Sequence, residues 1–280
     1  MKVSIITVTY NSANYLEDCI NSIIRQDYRN IEYIIVDGGS SDGTLDIIKK
    51  FSPHISKWIS EEDNGMYDAL NKGMELASGD VVGILNSDDV LASADVISQI
   101  VKCFEQNNVD SLYGDLVYVD PFDLQKVLRF WKGEMYKRKR FKYGWMPAHP
   151  TFYIRRDLIE RFGGYESHYF TAADYEFMAR YLYNHRISSY YLPKLIVKMR
   201  AGGASNQSIY SRLRANRRDY LAMKKNKIPF PLIVSILKPL IKMPQFYNAK
   251  VYKLSKSTTP YKTFTLSTFP NDNLLVNDKY

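Results

Sequence analysis

The sequence predicts an α/β fold with a mostly parallel central sheet, helices on both faces and a basic helical C-terminal extension. Two observations point to it. Over residues 1–120, β-branched apolar runs alternate with segments of helical period, and the runs are continuously apolar, as strands buried on both faces are. The charge also divides: residues 1–120 hold 8 Lys/Arg against 20 Asp/Glu, and residues 121–280 hold 30 against 10. An acidic half suited to holding a cation therefore precedes a basic half suited to an anionic partner.

The elements follow in order. "KVSIITVTY" reads as a buried strand, with Asn11 or Ser12 as N-cap of a helix over 13–26 whose Leu16, Ile20, Ile23 and Ile24 share one face. "IEYIIVD" (31–37) is a second strand, "GGSSDGT" a Gly-rich turn, and 44–51 a short helix. A short third strand over 55–60, a helix over 65–77, a strand over 80–85, a helix over 93–106 and a strand over 111–120 complete the half. In parallel sheets ligands bind beyond the carboxyl ends of strands, so Asp37 and the adjacent Asp88 and Asp89 should open onto one crevice. Past residue 120, the sequence predicts an irregular basic loop (121–150), a strand and short helix ending at Gly163–Gly164, a helix over 172–185, an extended run over 188–200 and a basic helix over 207–226. The Thr/Ser/Pro/Asn-rich tail from 255 reads as poorly ordered.

Composition narrows the function. The chain has 280 residues, 45% hydrophobic and 24% charged, and 23 tyrosines. Two cysteines, Cys19 and Cys103, form no C-x-x-C pair, which excludes a disulfide framework and a zinc-finger pattern. The apolar run near the N-terminus is short for a signal peptide, and no stretch reaches 18 consecutive apolar residues, so a cytoplasmic location is expected. Neither G-x-G-x-x-G after the first strand nor G-x-x-x-x-G-K-[ST] is present.

What remains is carboxylate chemistry. "NSDD" (86–89) sets two carboxylates side by side at a strand end; they suit a hard divalent cation, although an Asp ahead of a helix is also a common N-cap. "VDGGSSDGT" ends a buried strand in a carboxylate followed by glycines that let backbone approach a ligand, or it is an ordinary turn.

"TVTYN", "VDGGSSDGT", "DNGMYDALNKGMELASGD" and "LNSDD", in that order, resemble the inverting family 2 glycosyltransferases, which have the A-type nucleotide-sugar-binding fold. "SEEDNGMYDALNKG" is similar to bacterial members that build O-antigen, capsule or exopolysaccharide repeat units on undecaprenyl diphosphate. The resemblance implies that Thr9, Tyr10 and Asn11 contact base and ribose, and that Asp37 reads uracil or ribose. It further implies that Asn64, Gly65 and Asn71 line the nucleotide pocket, that Asp88 faces ribose or donor sugar, and that Asp89, with Asp88, holds Mn or Mg on the diphosphate. Many relatives carry Asp where this chain has Asn86, which removes one possible ligand. The family's general base falls on "FTAADYEFMARY", nominating Asp174 with Glu176 as runner-up, while His149 and Arg200 are weaker candidates for the diphosphate or acceptor.

The implied reaction transfers a hexose from a UDP-sugar to an undecaprenyl-diphosphate-linked saccharide. Its implied organisation is a nucleotide-sugar part (1–120), an acceptor and base part (121–205), a basic extension touching membrane (206–254) and a tail (255–280). The rivals are a sugar-phosphate nucleotidyltransferase, whose usual Gly-rich basic loop is absent after the first strand, and an inactive scaffold of a polysaccharide assembly complex. The run "KRKRFK" and the mixed apolar and Lys segment 229–247 suit the anionic cytoplasmic face of a membrane, or a solvated face. No nucleic-acid-binding signature accompanies them, and no nucleic-acid partner is expected.

Overall fold

The computed structural model describes residues 1–202 and 209–235. The predicted strands form where expected: β1 (Val3–Thr9), β2 (Ile31–Asp37), β3 (Lys57–Ser60), β4 (Val81–Ile84) and β6 (Ser111–Val119), joined by β5 (Val90–Leu91), β7 (Val127–Trp131), β8 (Tyr153–Arg155) and β9 (Ser189–Arg200). The helices are α1 (Leu16–Ile24), α2 (Thr44–Lys50), α3 (Met66–Leu76), α4 (Val96–Asn107), α5 (Arg156–Phe162), α6 (Ala173–Met178) and α7 (Ile209–Lys225).

One sheet runs β3-β2-β1-β4-β8-β6-β9-β5, with β7 paired to β6. Its β3-β2-β1-β4 side is wholly parallel, whereas β8 enters antiparallel to β4 and to β6, and β6 and β9 run parallel. The register lines up the strand ends: Thr9 sits beside Asp37, and Asp37 beside Ser60.

Continuous apolar strands are explained by two cores. Ile6, Val8, Ile34 and Val36 pack with Ala69, Leu70 and Met74 of α3 on one face, while Ile5, Ile35, Leu16, Ile20, Ile97 and Phe104 fill the other beneath α1 and α4. Alternate residues of each strand thus leave water, and burying each such side chain contributes about 1.5–3 kcal/mol.

Several boundaries differ from expectation. Helix α1 begins after Tyr15, not at Asn11 or Ser12: Asn11 has φ +48°, and Ser12 contributes its carbonyl to Tyr15 and Leu16. The expected loop 121–150 contains β7, folded back on β6 with Tyr118 opposite Arg129, and a 3-10 turn over Arg138–Tyr143. The predicted helix over 172–185 is α6 followed by a wide π-turn over Ala179–Asn184. The remainder of the 229–254 segment beyond residue 235 and the tail from 255 lie outside the described residues, as does most of the loop after Arg200. Cys19 and Cys103 are both free and buried.

Candidate active site

The site begins where β1 and β2 end. Thr9 Oγ1 is buried without a hydrogen-bond partner, and Tyr10 projects into solvent. Asn11 laces this turn to the next loop: its N–H donates to Ser40 Oγ (2.8 Å), and its Oδ1 accepts from the Ser41 N–H (2.9 Å). The Asp37 carboxylate is fully buried inside that loop, accepting from the N–H groups of Gly39 (3.1 Å) and Ser40 (3.0 Å) and from the hydroxyls of Ser40 (2.5 Å) and Ser60 (2.7 Å). In this structure Asp37, expected to read the nucleotide, shapes the loop that borders the crevice.

Helix α3 supplies the next rim. Gly65 adopts φ +106° ahead of the first turn, a conformation that disfavours side chains, and the Asn64 N–H donates to Asp68 Oδ2 (3.0 Å). Asn64 and Gly65 are both exposed at this rim. Asn71, expected to line the nucleotide pocket, instead clamps a distant segment: its Oδ1 accepts from the Tyr165 N–H (2.7 Å) and its Nδ2 donates to the Tyr165 carbonyl (2.8 Å).

The acidic pair follows β4, and its members are not equivalent. Asp89 is 0% exposed; its Oδ2 accepts from Asn86 Nδ2 (3.0 Å) and its Oδ1 from the Arg200 N–H (3.2 Å). Burial, and then the neighbouring Asp88 charge, pushes its carboxyl well above the usual range. Asp88 is only partly buried, which raises its proton affinity, with the Arg200 charge opposing. Among the described residues no group of three or more His, Cys, Asp or Glu is placed to hold a metal ion. A cation at this strand end would take two protein carboxylates at most and complete its shell with substrate oxygens and water, which fits a hard divalent cation.

Arg200, a weaker candidate for the diphosphate, is engaged within the protein. Its Nε donates to the Pro121 carbonyl (3.0 Å), Nη1 to the Asp88 carbonyl (2.6 Å) and Nη2 to Asp18 Oδ2 (2.6 Å), and its guanidinium lies over the Tyr15 ring. A side chain so engaged braces the acidic turn rather than reaching over it to a diphosphate.

Asp174 lies in the first turn of α6, partly buried, its Oδ1 accepting from the Tyr175 N–H (2.6 Å). Around it stands a wall that sequence reasoning missed. The Tyr67 and Tyr165 rings lie 5.3 Å apart, and Tyr165 Oη is 2.6 Å from His149 Nε2. Both tyrosine phenols are raised well above their usual range by burial and then by the Asp174 charge. His149 is enclosed here; burial lowers its proton affinity and the Asp174 charge partly opposes this. Glu176 faces elsewhere. It is 0% exposed and paired with Arg180 (3.1 Å) and Lys225 (3.3 Å), so its candidacy as the base is withdrawn.

Tyr118 ties the two acidic sites together. Burial raises its phenol, Arg129 opposes, and the charges of Asp89 and Asp174 both add to the rise. The charges of Asp89 and Asp174, 85 positions apart in the sequence, thus both act on one phenol. Only the "GGY" turn before α6 hinted at the Tyr165 wall.

A family profile described as "Glycosyl transferase family 2" matches residues 4–163. The chain belongs to this family. A "PGL/p-HBAD biosynthesis glycosyltransferase" of Mycobacterium bovis is 32% identical over 208 residues, covering 72% of this chain and 78% of the relative. An uncharacterized glycosyltransferase of Mycobacterium tuberculosis is 33% identical over 190 residues, 64% of this chain and 68% of the relative. Among solved structures, S. aureus TarS 1–349 superposes with TM-score 0.62 at 18% identity, covering 95% of this chain and 76% of that one. The Pyrobaculum calidifontis mannosyltransferase PcManGT, in complex with GDP-Man and Mn2+, superposes with TM-score 0.60 at 20% identity, covering 93% of this chain and 76% of that one. Family membership supports the glycosyltransferase reading over the nucleotidyltransferase and scaffold alternatives, and the two structures share its GT-A fold.

Proposed function

We propose that this family 2 glycosyltransferase moves a hexose from a UDP-sugar, with inversion, to a hydroxyl of a lipid-diphosphate-linked saccharide in cell-surface polysaccharide synthesis. The observation that carries the reading is the Asp88–Asp89 turn at the carboxyl end of β4, beside the Thr9 and Asp37 ends of the parallel strands β1 and β2. TarS has been solved with UDP and with UDP-GlcNAc and PcManGT with GDP-Man, which supports a nucleotide-sugar donor, taken here as UDP-linked.

The half-exposed Asp88 is the carboxylate best placed to meet a cation; Asp89, with both oxygens hydrogen-bonded, fixes the turn that presents it. This divides the roles of Asp88 and Asp89 differently from what the resemblance implies. A bound Mn or Mg ion would neutralise charge developing on the departing diphosphate. Thr9, whose hydroxyl lacks a partner, Tyr10 and the 38–41 loop border the nucleoside crevice, with Asn64 and Gly65 on its rim. Asp174, in the first turn of α6, accepts the proton of the attacking hydroxyl.

Contact with an anionic, cytoplasmic membrane surface through 229–254 belongs to the same reading. The described part of that segment exposes Phe230, Leu232 and Ile233, and no helix among the described residues is long and apolar enough to cross a membrane. The test is nucleotide release from a panel of UDP- and GDP-sugars with Mn, using synthetic lipid-diphosphate GlcNAc and GalNAc acceptors. Acceptor-dependent UDP release is expected; release of GDP alone would overturn the donor assignment.

A further inference from the structure

One face of the β6–β7 hairpin holds a cation against aromatic rings. Tyr118 and Arg129 are register partners, and the Arg129 guanidinium carbon lies 4.4 Å from the Tyr118 ring centre. Two residues along β7, on the same face, the Trp131 ring centre is 5.7 Å from that carbon. All three side chains are half-buried, within reach of solvent. The hairpin end is pinned: Asp115 Oδ1 accepts from the Gly133 N–H (2.7 Å) and the Tyr191 hydroxyl (2.8 Å).

The position of this ladder relative to the acidic groups gives it meaning. Val119, next to Tyr118, pairs with Arg200, whose N–H reaches Asp89. In sheet order, β6 lies beyond β4 and β8, on the side away from β2 and its Asp37 loop. The ladder thus adjoins the acidic turn on the side away from the nucleoside crevice, the side from which a second substrate would attack opposite the leaving group. Its chemistry is also specific. A guanidinium lying on an aromatic face still carries in-plane N–H donors suited to phosphate oxygens, and an indole face suits the C–H side of a pyranose.

We propose that Tyr118, Arg129 and Trp131 form the acceptor subsite, with Trp131 against the acceptor sugar and Arg129 against the phosphate to which that sugar is attached. The inference rests on the glycosyltransferase reading given above and deepens it by naming where the acceptor is held.

The experiment uses the full chain saturated with UDP and Mn, titrated calorimetrically with undecaprenyl diphosphate-GlcNAc and with the uncharged octyl N-acetylglucosaminide. Arg129→Gln is expected to weaken the diphosphate acceptor about tenfold or more, as loss of a charge-assisted hydrogen bond does, and to leave the uncharged one nearly unchanged. Trp131→Ala should weaken both, and Trp131→Phe should recover most of the loss. UDP affinity should stay at the wild-type value in all three variants, which also shows that they fold. Equal weakening of both acceptors by Arg129→Gln, or a wild type that binds UDP but neither acceptor, would overturn the subsite. Failure of the wild type to bind UDP at all would instead overturn the donor reading on which it rests.

Discussion

Two carboxylates two residues apart, Asp174 and Glu176, should fail in opposite ways when each is changed to its amide. Glu176 is fully buried and accepts from Arg180 Nε (3.1 Å) and Nη2 (3.1 Å), with Lys225 Nζ at 3.3 Å. Arg180 also donates to the carbonyls of Phe162, Gly163 and Gly164, so the pair ties α6 to the turn after α5. Breaking a buried pair by neutralising one partner costs roughly 3–5 kcal/mol; the retained carbonyl contacts of Arg180 place Glu176→Gln near the lower end, about 3 kcal/mol. For a chain of this size that lowers Tm by about 6–12 °C. Asp174 is partly exposed, and its Tyr175 N–H contact can be kept by an amide oxygen, so Asp174→Asn should leave Tm within about 2 °C. Transfer should respond in reverse: Asp174→Asn loses about 10²–10⁴-fold in kcat, the usual contribution of a general base, while folded Glu176→Gln stays within about threefold of wild type. Thermal melts and initial rates below the lower Tm read both effects. A Glu176→Gln that melts like wild type yet is inactive, with Asp174→Asn active, would refute the assignment.

Arg200→Met should cost about 2–4 kcal/mol, because it leaves the Asp88 and Pro121 carbonyls without their donor, and should weaken UDP binding through the loosened 86–89 turn; melts and UDP titration in Mn check it. Its ion pair with Asp18 adds little, since Asp18 is largely exposed. Glu32 is held below the usual carboxylate range: burial pushes it up, but the Ser4 and Ser78 hydroxyls, the Ser78 N–H and Lys2 outweigh that. A depressed folded value stabilises the fold above the ordinary carboxylate range, a contribution lost on acidification, so the stability deficit of Glu32→Gln should be largest near neutrality, about 2 kcal/mol, and shrink as pH falls below about 4, as melts across pH would show. Binding to anionic vesicles at low salt, reversed at high salt and weakened by deleting 229–280, is expected in sedimentation; equal pelleting with neutral vesicles would contradict the electrostatic part.

The first 120 residues were legible because strands buried on both faces must be apolar throughout, and Ile5 and Ile6 entering opposite cores is the direct cause of the unbroken run in "VSIIT". The carboxylates at strand ends followed from that, since a parallel sheet aligns its carboxyl ends. Hairpin β6–β7 was hidden because its turn, "DPFDLQK", lacks an Asn-Gly or Asp-Gly pair and closes through Asp120 accepting from the Phe122 N–H (3.0 Å). The structural partners of Arg200 and Asn71 were hidden for a related reason. Each finds its partners across more than 90 residues of chain, at Asp88 and at Tyr165, and no local pattern records such a pairing. Asp37 and Glu176 show the same limit: residue type and position suggested a ligand-facing carboxylate, whereas Ser40 and Ser60 in one case and Arg180 in the other enclose it.

The most direct test of the account is calorimetric titration of UDP, with and without Mn, into the wild type and into Asp88→Asn. The account predicts Mn-dependent UDP binding by the wild type that Asp88→Asn loses while its Tm is retained. UDP binding of equal strength with and without Mn, or unchanged by Asp88→Asn, would contradict it.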